Sequence, residues 1–248
     1  MRASLFLLVV SACGRIAFDP LTGSSNGDGG AGDDGASSGD APPGTGVVVQ
    51  QACGYDARST ATTMLSTTFG TALEPTDILF VAVGWNDAAT TITGITDSGG
   101  DVFTPITALD RFGAMSQQIF IANTPTVMQN LTITVTFSQA VINSSLRACA
   151  FGDTDHATAP PNNKSGGTGN SFMSSPLTTL VPNSLVVASI AGTSNAGLDF
   201  SYITSINTMP LGHLVEHKVA GTPGSYRAGA MFGAASDFVF HLVALQPQ

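Results

Sequence analysis

A long series of short β-type segments is the feature that most constrains how this chain can fold. From Val47 onward, runs rich in Thr, Val, Ile and Phe are separated by Gly, Pro and Asn turn residues. Residues 131–137 alternate apolar side chains with threonines, as in a half-buried strand, whereas residues 78–85 are apolar throughout, as in a central strand covered on both faces. No convincing amphipathic helix interrupts the series. The pattern predicts an all-β, jelly-roll-like sandwich of about a dozen short strands.

The predicted strands extend over residues 47–248 and form a single domain. The motif DSGGD at 97–101 predicts a turn. The polar interval 153–175, with its paired prolines and paired glycines, predicts a long loop rather than a domain boundary. Strands are predicted at residues 60–69, 78–85, 90–96, 117–122, 131–137, 145–151, 184–191, 202–206, 213–220, 225–232 and 238–245.

The scarcity of charge supports an all-β fold and excludes one class of partner. Charged residues make up 10% of the chain, against about 25% in typical globular proteins. Exposed helices rely on Glu, Lys and Arg, so such a composition favours strands and turns. The net charge is −9 and no run of Lys or Arg occurs. Nucleic-acid binding needs a basic surface and is therefore not expected.

The N-terminal segment has the order of an export signal. Arg2 precedes the apolar run 5–10, which ends in small residues just before Cys13. The run is far shorter than the roughly 18 residues needed to span a bilayer. Residues 10–13, Val-Ser-Ala-Cys, resemble the lipobox of bacterial lipoproteins. The resemblance implies a signal peptide at 1–12 and a lipid on Cys13, and Gly14 in place of Asp implies the outer membrane. An ordinary cleaved signal and a buried strand are the alternatives.

The segment after Cys13 is predicted to be a tether. Residues 20–46 contain Gly, Ser, Asp, Ala and Pro with almost no hydrophobic side chain. Such a sequence cannot bury enough apolar area to offset the entropy of ordering, so 13–46 is expected to be a flexible, disordered linker. The β domain then comprises residues 47–248.

Two cysteines remain if Cys13 carries lipid. Cys53 and Cys149 would form an even pair in an oxidising compartment, which favours a disulfide. It would close a loop of roughly 100 residues and contribute up to about 4–5 kcal/mol in the chain-entropy model. Two buried free thiols are the alternative.

Four strand-like motifs follow one another along the chain: ILFVAVGWN at 78–86, ITDS at 95–98 with Gly100 and Phe103, LTITVTF at 131–137 and GTPGSYR at 221–227. In this order they resemble a β-sandwich domain that is common in secreted proteins of soil bacteria. The resemblance covers roughly residues 60–245 and implies the fold and export, but no biochemical activity is settled for these domains. Asp101 stands where Asn is usual, and Ala150-Phe151 replaces an expected Glu-Tyr pair.

One motif matches a known metal site but lies in the wrong context. Residues 213–217, His-Leu-Val-Glu-His, match the inverted zinc-protease motif H-x-x-E-H. That chemistry needs both histidines on one face of a long helix, whereas Gly and Pro flank this segment closely. On a strand the two histidines would stand about 13 Å apart, too far for one zinc ion. We expect an edge strand with outward polar residues, and no enzymatic activity.

The remaining candidate site residues are few. Asp97 and Asp101 could hold a calcium ion, as could residues 153–156, although Asp is also an ordinary turn residue. Tyr202 and Tyr226 are candidate ligand contacts. Trp85 ends a buried run and is expected to pack in the core. No other cofactor is indicated.

Together these features predict an exported, lipid-anchored envelope protein with a non-catalytic binding or adhesion module. The partners would be the membrane, through the anchor, and a glycan, matrix component or envelope protein. The domain would lie in the periplasm or at the cell surface. A structural envelope lipoprotein without a small ligand is the first alternative, and a metal-dependent hydrolase is the second.

Overall fold

The computed structural model describes residues 49–123, 125–154, 162–197, 201–209 and 211–248. All of them belong to the compact unit Asp40–Gln248. The predicted signal peptide, the predicted lipidation site Cys13 and the predicted tether lie outside the described residues. Among those that are described, no helix is long and apolar enough to cross a membrane.

The described residues form sixteen β-strands and no helix, which confirms the all-β prediction. In chain order the strands are β1 (Val49–Arg58), β2 (Thr62–Thr68), β3 (Ile78–Asn86), β4 (Ile92–Asp97), β5 (Thr104–Pro105), β6 (Asp110–Phe112), β7 (Met115–Asn123), β8 (Thr132–Gly152), β9 (Asn162–Met173), β10 (Leu177–Thr179), β11 (Ser184–Gly192), β12 (Ala196–Gly197), β13 (Ile203–Asn207), β14 (Leu214–Ala220), β15 (Gly224–Tyr226) and β16 (Gly229–Leu245).

Eight of the strands form the first sheet, in which every pairing is antiparallel. Its main order is β1-β8-β3-β7-β5, and β6 pairs with β7. The 21-residue β8 serves two layers: residues 132–141 pair with β2 and β4, and residues 142–152 pair with β1 and β3. The two predicted strands at 131–137 and 145–151 are therefore halves of one long strand.

The second sheet contains six strands and the third only two. The order in the second sheet is β12-β16-β11-β14-β13, with β9 pairing along β16. The third sheet pairs β10 with β15. The predicted strand at 225–232 is divided between β15 and the beginning of β16.

Three layers of apolar side chains explain why β3 and β11 are buried on both faces. One face of β3, with Leu79, Val81 and Trp85, packs against the β2–β8–β4 layer. Its other face packs against the second sheet. The second sheet in turn buries its far face under side chains near β10 and β15. This stacking is a sandwich, and the uninterrupted apolar runs of β3 and β11 are what two-sided burial requires.

The largest departure from the sequence prediction is β9. The interval 153–175 was expected to be a loop, but residues 162–173 form a 12-residue strand along β16. The prediction was wrong because β9 consists largely of Asn, Gly, Ser and Thr. Strand propensity reflects the packing of side chains, whereas β9 is held by main-chain pairing with a neighbour distant in sequence.

Candidate functional site

The largest group of interacting polar side chains is a cluster that lies between the first and second sheets. Arg147 of β8, Gln117 of β7, Ser189 of β11 and His241 of β16 are all fully buried there. Buried polar groups are tolerated only where hydrogen bonds replace water. The cluster is therefore defined by its partners.

Arg147 joins the two sheets through main-chain carbonyls. Its Nη1 donates to the carbonyl oxygens of Ile190, at 2.7 Å, and Leu214, at 2.8 Å. Its Nη2 donates to Oε1 of Gln117 at 2.7 Å. Burial lowers the pKa of Arg147 to about 9, so the guanidinium still carries its charge at neutral pH. One cation of the first sheet thus binds two strands of the second.

Gln117 links Arg147 to His241 by hydrogen bonds, and the direction of these bonds fixes the tautomer of His241. Since Arg147 can only donate, the Gln117 oxygen must face it, and that oxygen also accepts from Ser189 Oγ at 3.0 Å. The amide nitrogen therefore faces Nδ1 of His241 at 2.8 Å, and Nδ1 must accept. The His241 proton then sits on Nε2, which donates to Oδ2 of Asp110 at 2.6 Å.

The cluster reaches the surface at Asp110. This carboxylate also binds the ammonium group of Lys164 on β9. Burial by itself raises the pKa of Asp110, but the hydrogen bonds from His241 and Lys164 outweigh it and lower that pKa overall. An open cavity of about 200 Å³ lies here, and it is lined by Asp110, Arg111, Lys164, Ser165, Gly166 and Val239. We call it the Asp110 cavity.

His241 and His213 are held as neutral imidazoles in this interior. Burial lowers the pKa of His241, although the Asp110 carboxylate acts to raise it. Burial, together with the positive charge of Arg147, lowers the pKa of His213 well below its ordinary value. His213 Nδ1 lies 2.6 Å from Ser145 Oγ, a hydrogen bond across the two sheets.

The Ser145–His213 pair has the spacing of a nucleophile and its base but not the setting. Such a pair must meet a substrate, whereas both side chains have no exposed surface. Their hydrogen bond links β8 to the segment before β14. We interpret it as part of the contact between the sheets.

Residues 214–217 of the H-x-x-E-H motif lie on a strand, as expected, but not at an edge, and His213 directly precedes that strand. β14 lies between β11 and β13, and His213, Glu216 and His217 are all buried, which corrects the prediction of outward polar residues. His217 faces Phe151, with ring centroids 6.2 Å apart, and bonds Ser205 Oγ at 2.8 Å. Glu216 lies on the opposite face of the strand. The described residues contain no group of three or more His, Cys, Asp or Glu side chains that could hold a metal ion.

Asp97 and Asp101, the predicted calcium ligands, organise the 97–101 turn. Asp97 Oδ1 accepts the N–H groups of Gly99, Gly100 and Asp101 at 2.7–3.1 Å. The Asp101 carboxylate accepts the N–H and the hydroxyl of Thr126. Burial, reinforced by the nearby Asp101, raises the pKa of Asp97. These bonds account for both residues as turn residues, and the calcium site stays a prediction. Of the second candidate, residues 153–156, only Asp153 and Thr154 are described.

The candidate aromatic contacts differ in position. Tyr202 is only 7% exposed and packs in the core of the second sheet, so its ring is not available to a ligand, which corrects that assignment. Tyr226 is half-buried, and its hydroxyl donates to the carbonyl of Thr222 at 2.6 Å. Trp85 is fully buried as expected, edge-on to Phe137.

Cys53 and Cys149, the pair left over by the lipoprotein interpretation, form a disulfide in the structure. They lie directly opposite each other on β1 and β8, with Cα atoms 4.1 Å apart. The bond ties the first described strand to the central long strand.

The Arg147 cluster was not predicted from the sequence, although polar residues within two apolar segments indicated buried polar contacts. Arg147 interrupts the largely apolar segment 145–151, and Gln117 lies in β7 two residues before the apolar run 119–122. A charged or amide side chain within a strand otherwise buried on both faces must find partners inside the fold. Which partners it finds depends on how the two sheets pack.

Comparison of the chain with protein-family models, curated proteins and solved structures finds no match.

Proposed function

We propose that this protein is a lipid-anchored protein of the bacterial cell envelope whose β-sandwich is a non-catalytic module that binds a glycan, a matrix component or a protein. The lipobox-like residues 10–13 support the anchor, with the outer membrane as its site. The oxidising compartment that export implies suits the Cys53–Cys149 disulfide.

The observation that carries the binding function is the Asp110 cavity. It presents a carboxylate acceptor, the cationic donors Lys164 and Arg111, and the main chain of β9 at one open surface. Such a mixture of acceptors and donors suits hydroxyl-rich or peptide ligands. In contrast, the polar groups deeper in the cluster are buried and have protein partners. Ser145 bonds to His213, and Arg147 bonds to the carbonyl of Ile190.

The anchor is tested by metabolic labelling with a clickable palmitate analogue. The wild-type protein should be labelled and Cys13→Ala should not.

Protease treatment of intact and lysed cells then separates the two orientations of the domain. Loss of the domain from intact cells indicates the cell surface, and protection until lysis indicates the periplasm. Equal labelling of both proteins, or none of either, would contradict the lipid anchor.

The binding module is tested with arrays of immobilised glycans and matrix proteins. Lys164→Gln should weaken binding of any captured ligand at least about tenfold, since a hydrogen bond to a charged group contributes about 1.5–3 kcal/mol. Lys218→Gln is the matched control, because Lys218 lies over the Tyr202 ring and away from the cavity. Equal binding by both variants would exclude the Asp110 cavity as the binding site. If the arrays capture no ligand, the result favours a structural envelope protein.

A further inference from the structure

The Asp110 carboxylate is held in a fixed orientation beside the Asp110 cavity. Its Oδ2 accepts a hydrogen bond from Nε2 of His241 at 2.6 Å, and its Oδ1 binds the ammonium group of Lys164. His241 is fully buried, and Gln117 keeps its proton on Nε2 by donating to Nδ1. Oδ2 is therefore committed to the interior, whereas Oδ1 lies on the side of Lys164 and the cavity that both residues line.

The pair formed by Asp110 Oδ1 and Lys164 Nζ is matched to hydroxyl groups. Burial acts to raise the pKa of Asp110, but the hydrogen bonds from His241 and Lys164 lower that pKa overall, so the carboxylate is ionised at neutral pH. An ionised carboxylate only accepts hydrogen bonds, and an ammonium group only donates them. Two neighbouring hydroxyls of one ligand can satisfy both, because a hydroxyl donates as well as accepts. A ligand carboxylate has no proton to donate to Asp110.

The charges around the cavity favour an uncharged ligand. Lys164 is matched by Asp110. Hydrogen bonds from main-chain N–H groups lower the pKa of Asp87, and the nearby positive charge of Arg111 adds to that effect, so Arg111 also has a carboxylate close to it. The chain as a whole carries a net charge of −9. An acidic ligand would therefore meet no excess of positive charge among the described residues of the cavity.

An exposed aromatic ring lies beside the polar pair. Phe112 follows Asp110 by two residues on β6, which places both side chains on one face of the strand. A Cβ atom at Gly166 would lie 2.9 Å from Cβ and 3.3 Å from Cγ of Phe112, so Phe112 rests on the main chain of this cavity-lining glycine. Phe112 is 36% exposed. It offers an apolar surface to a ligand whose polar groups reach Asp110 and Lys164.

We infer that the Asp110 cavity and the Phe112 ring form a binding site for an uncharged saccharide, with a sugar ring against Phe112 and hydroxyl groups on Asp110 and Lys164. The inference rests on the proposed binding function and narrows it to one class of ligand. Asp110 is the acceptor, Lys164 is the donor, and His241 is the positioning residue that orients Asp110. Because β6 belongs to the first sheet and β9 to the second, the site lies where these two sheets meet.

The ligand class is tested with the full chain carrying Cys13→Ala, so that no acyl group adsorbs to a surface. The probes are immobilised dextran, mannan and galactan, which are uncharged, and alginate and polygalacturonate, which present similar rings with a carboxylate. At least one uncharged polymer should capture the protein, with an affinity at least about tenfold higher than that of either acidic polymer, since the acidic groups add a charge that Asp110 repels.

Asp110→Asn tests the acceptor. His241 Nε2 still requires an acceptor, so the amide oxygen should face it and the amide NH₂ group should face Lys164 and the cavity. A donor then replaces Oδ1, and binding of the uncharged polymer should weaken at least about tenfold. Asp56→Asn is the matched control, because Asp56 pairs with Arg58 on β1, at the other end of the first sheet.

Phe112→Leu tests the aromatic surface and should weaken binding about three- to tenfold. Tyr55→Leu is its control, because Tyr55 is an exposed ring on β1. Circular dichroism verifies that each variant is folded.

Capture of acidic polymers or of a protein in place of, or as strongly as, the uncharged polymers would overturn this inference. If Lys164→Gln still weakens that capture, the proposed binding function stands. Capture of an uncharged polymer that Asp110→Asn or Phe112→Leu leaves at wild-type strength would likewise overturn the inference alone. Capture of no polymer and no protein would overturn both.

Discussion

At the scale of single residues, Arg147 shows how a charge can be built into a sandwich core. It lies on the same face of β8 as Cys149 and Phe151, which face the second sheet. No carboxylate of the described residues forms an ion pair with it. Two carbonyl oxygens and one amide oxygen, all within 2.8 Å, accept hydrogen bonds from Nη1 and Nη2, whereas Nε has no hydrogen-bond partner among the described residues. The arrangement depends on the cation, since all three partners are acceptors.

Arg147→Met should therefore destabilise the protein strongly. The thioether fills similar space but leaves the carbonyls of Ile190 and Leu214 without their donor. Leaving a buried acceptor without its donor costs about 1–3 kcal/mol for each group. Urea unfolding measures the loss, and Arg58→Met is the control because Arg58 is exposed and forms a surface ion pair with Asp56. A similar small effect of both variants would contradict the role assigned to Arg147.

At the scale of elements, Gly84 sets how closely β3 and the second sheet can approach. A Cβ atom at Gly84 would lie 2.7 Å from the Ala191 Cβ of β11 and 3.2 Å from the Arg147 guanidinium. The first distance is too short for two carbon atoms. The sheets can therefore keep their spacing, and Arg147 its bonds, only if one of the two facing positions lacks a side chain.

Gly84→Ala should lower the free energy of unfolding by about 1–3 kcal/mol, as overpacking of a core does. Ala191→Gly in the same molecule removes the opposing methyl group and should recover part of that loss. The measurement is a double-mutant cycle by urea denaturation. Purely additive effects of the two substitutions would show that the two positions do not collide.

At the scale of the whole molecule, the buried histidines couple stability to pH. Burial is the main cause that lowers the pKa values of His213, His217 and His241. A histidine with a lowered pKa in the folded state binds protons more readily when unfolded. Its contribution is complete above its ordinary pKa of 6.5 and is lost as the pH falls toward the folded value.

Stability should therefore decrease between about pH 7.5 and pH 5, by about 2 kcal/mol for each histidine that stays neutral in the folded protein. His213→Gln removes one titrating group and should make the dependence shallower by that amount, whatever its effect on absolute stability. Urea unfolding at both pH values measures the difference. An unchanged slope would show that His213 is protonated in the folded state.

Local pattern alone determined the fold class of this protein and much of its strand layout. Residues 78–85 could be recognised as a doubly covered strand because burial on both faces demands apolar side chains at every position, and β3 has them. The pairing of Cys53 with Cys149 was a prediction that depended on the lipobox resemblance, because a lipid on Cys13 leaves only these two of the three cysteines.

Only the tertiary structure decided the features that depend on a distant partner. β9 is a strand because its main chain pairs with β16, and its own Gly, Asn and Ser residues do not predict a strand. Tyr202 is a core residue because the second sheet covers it. Arg147, Gln117 and His241 meet because two sheets stack with one register, although the chain separates Gln117 and His241 by 124 residues. A sequence pattern describes only residues that are close along the chain, whereas these contacts are set by packing between layers.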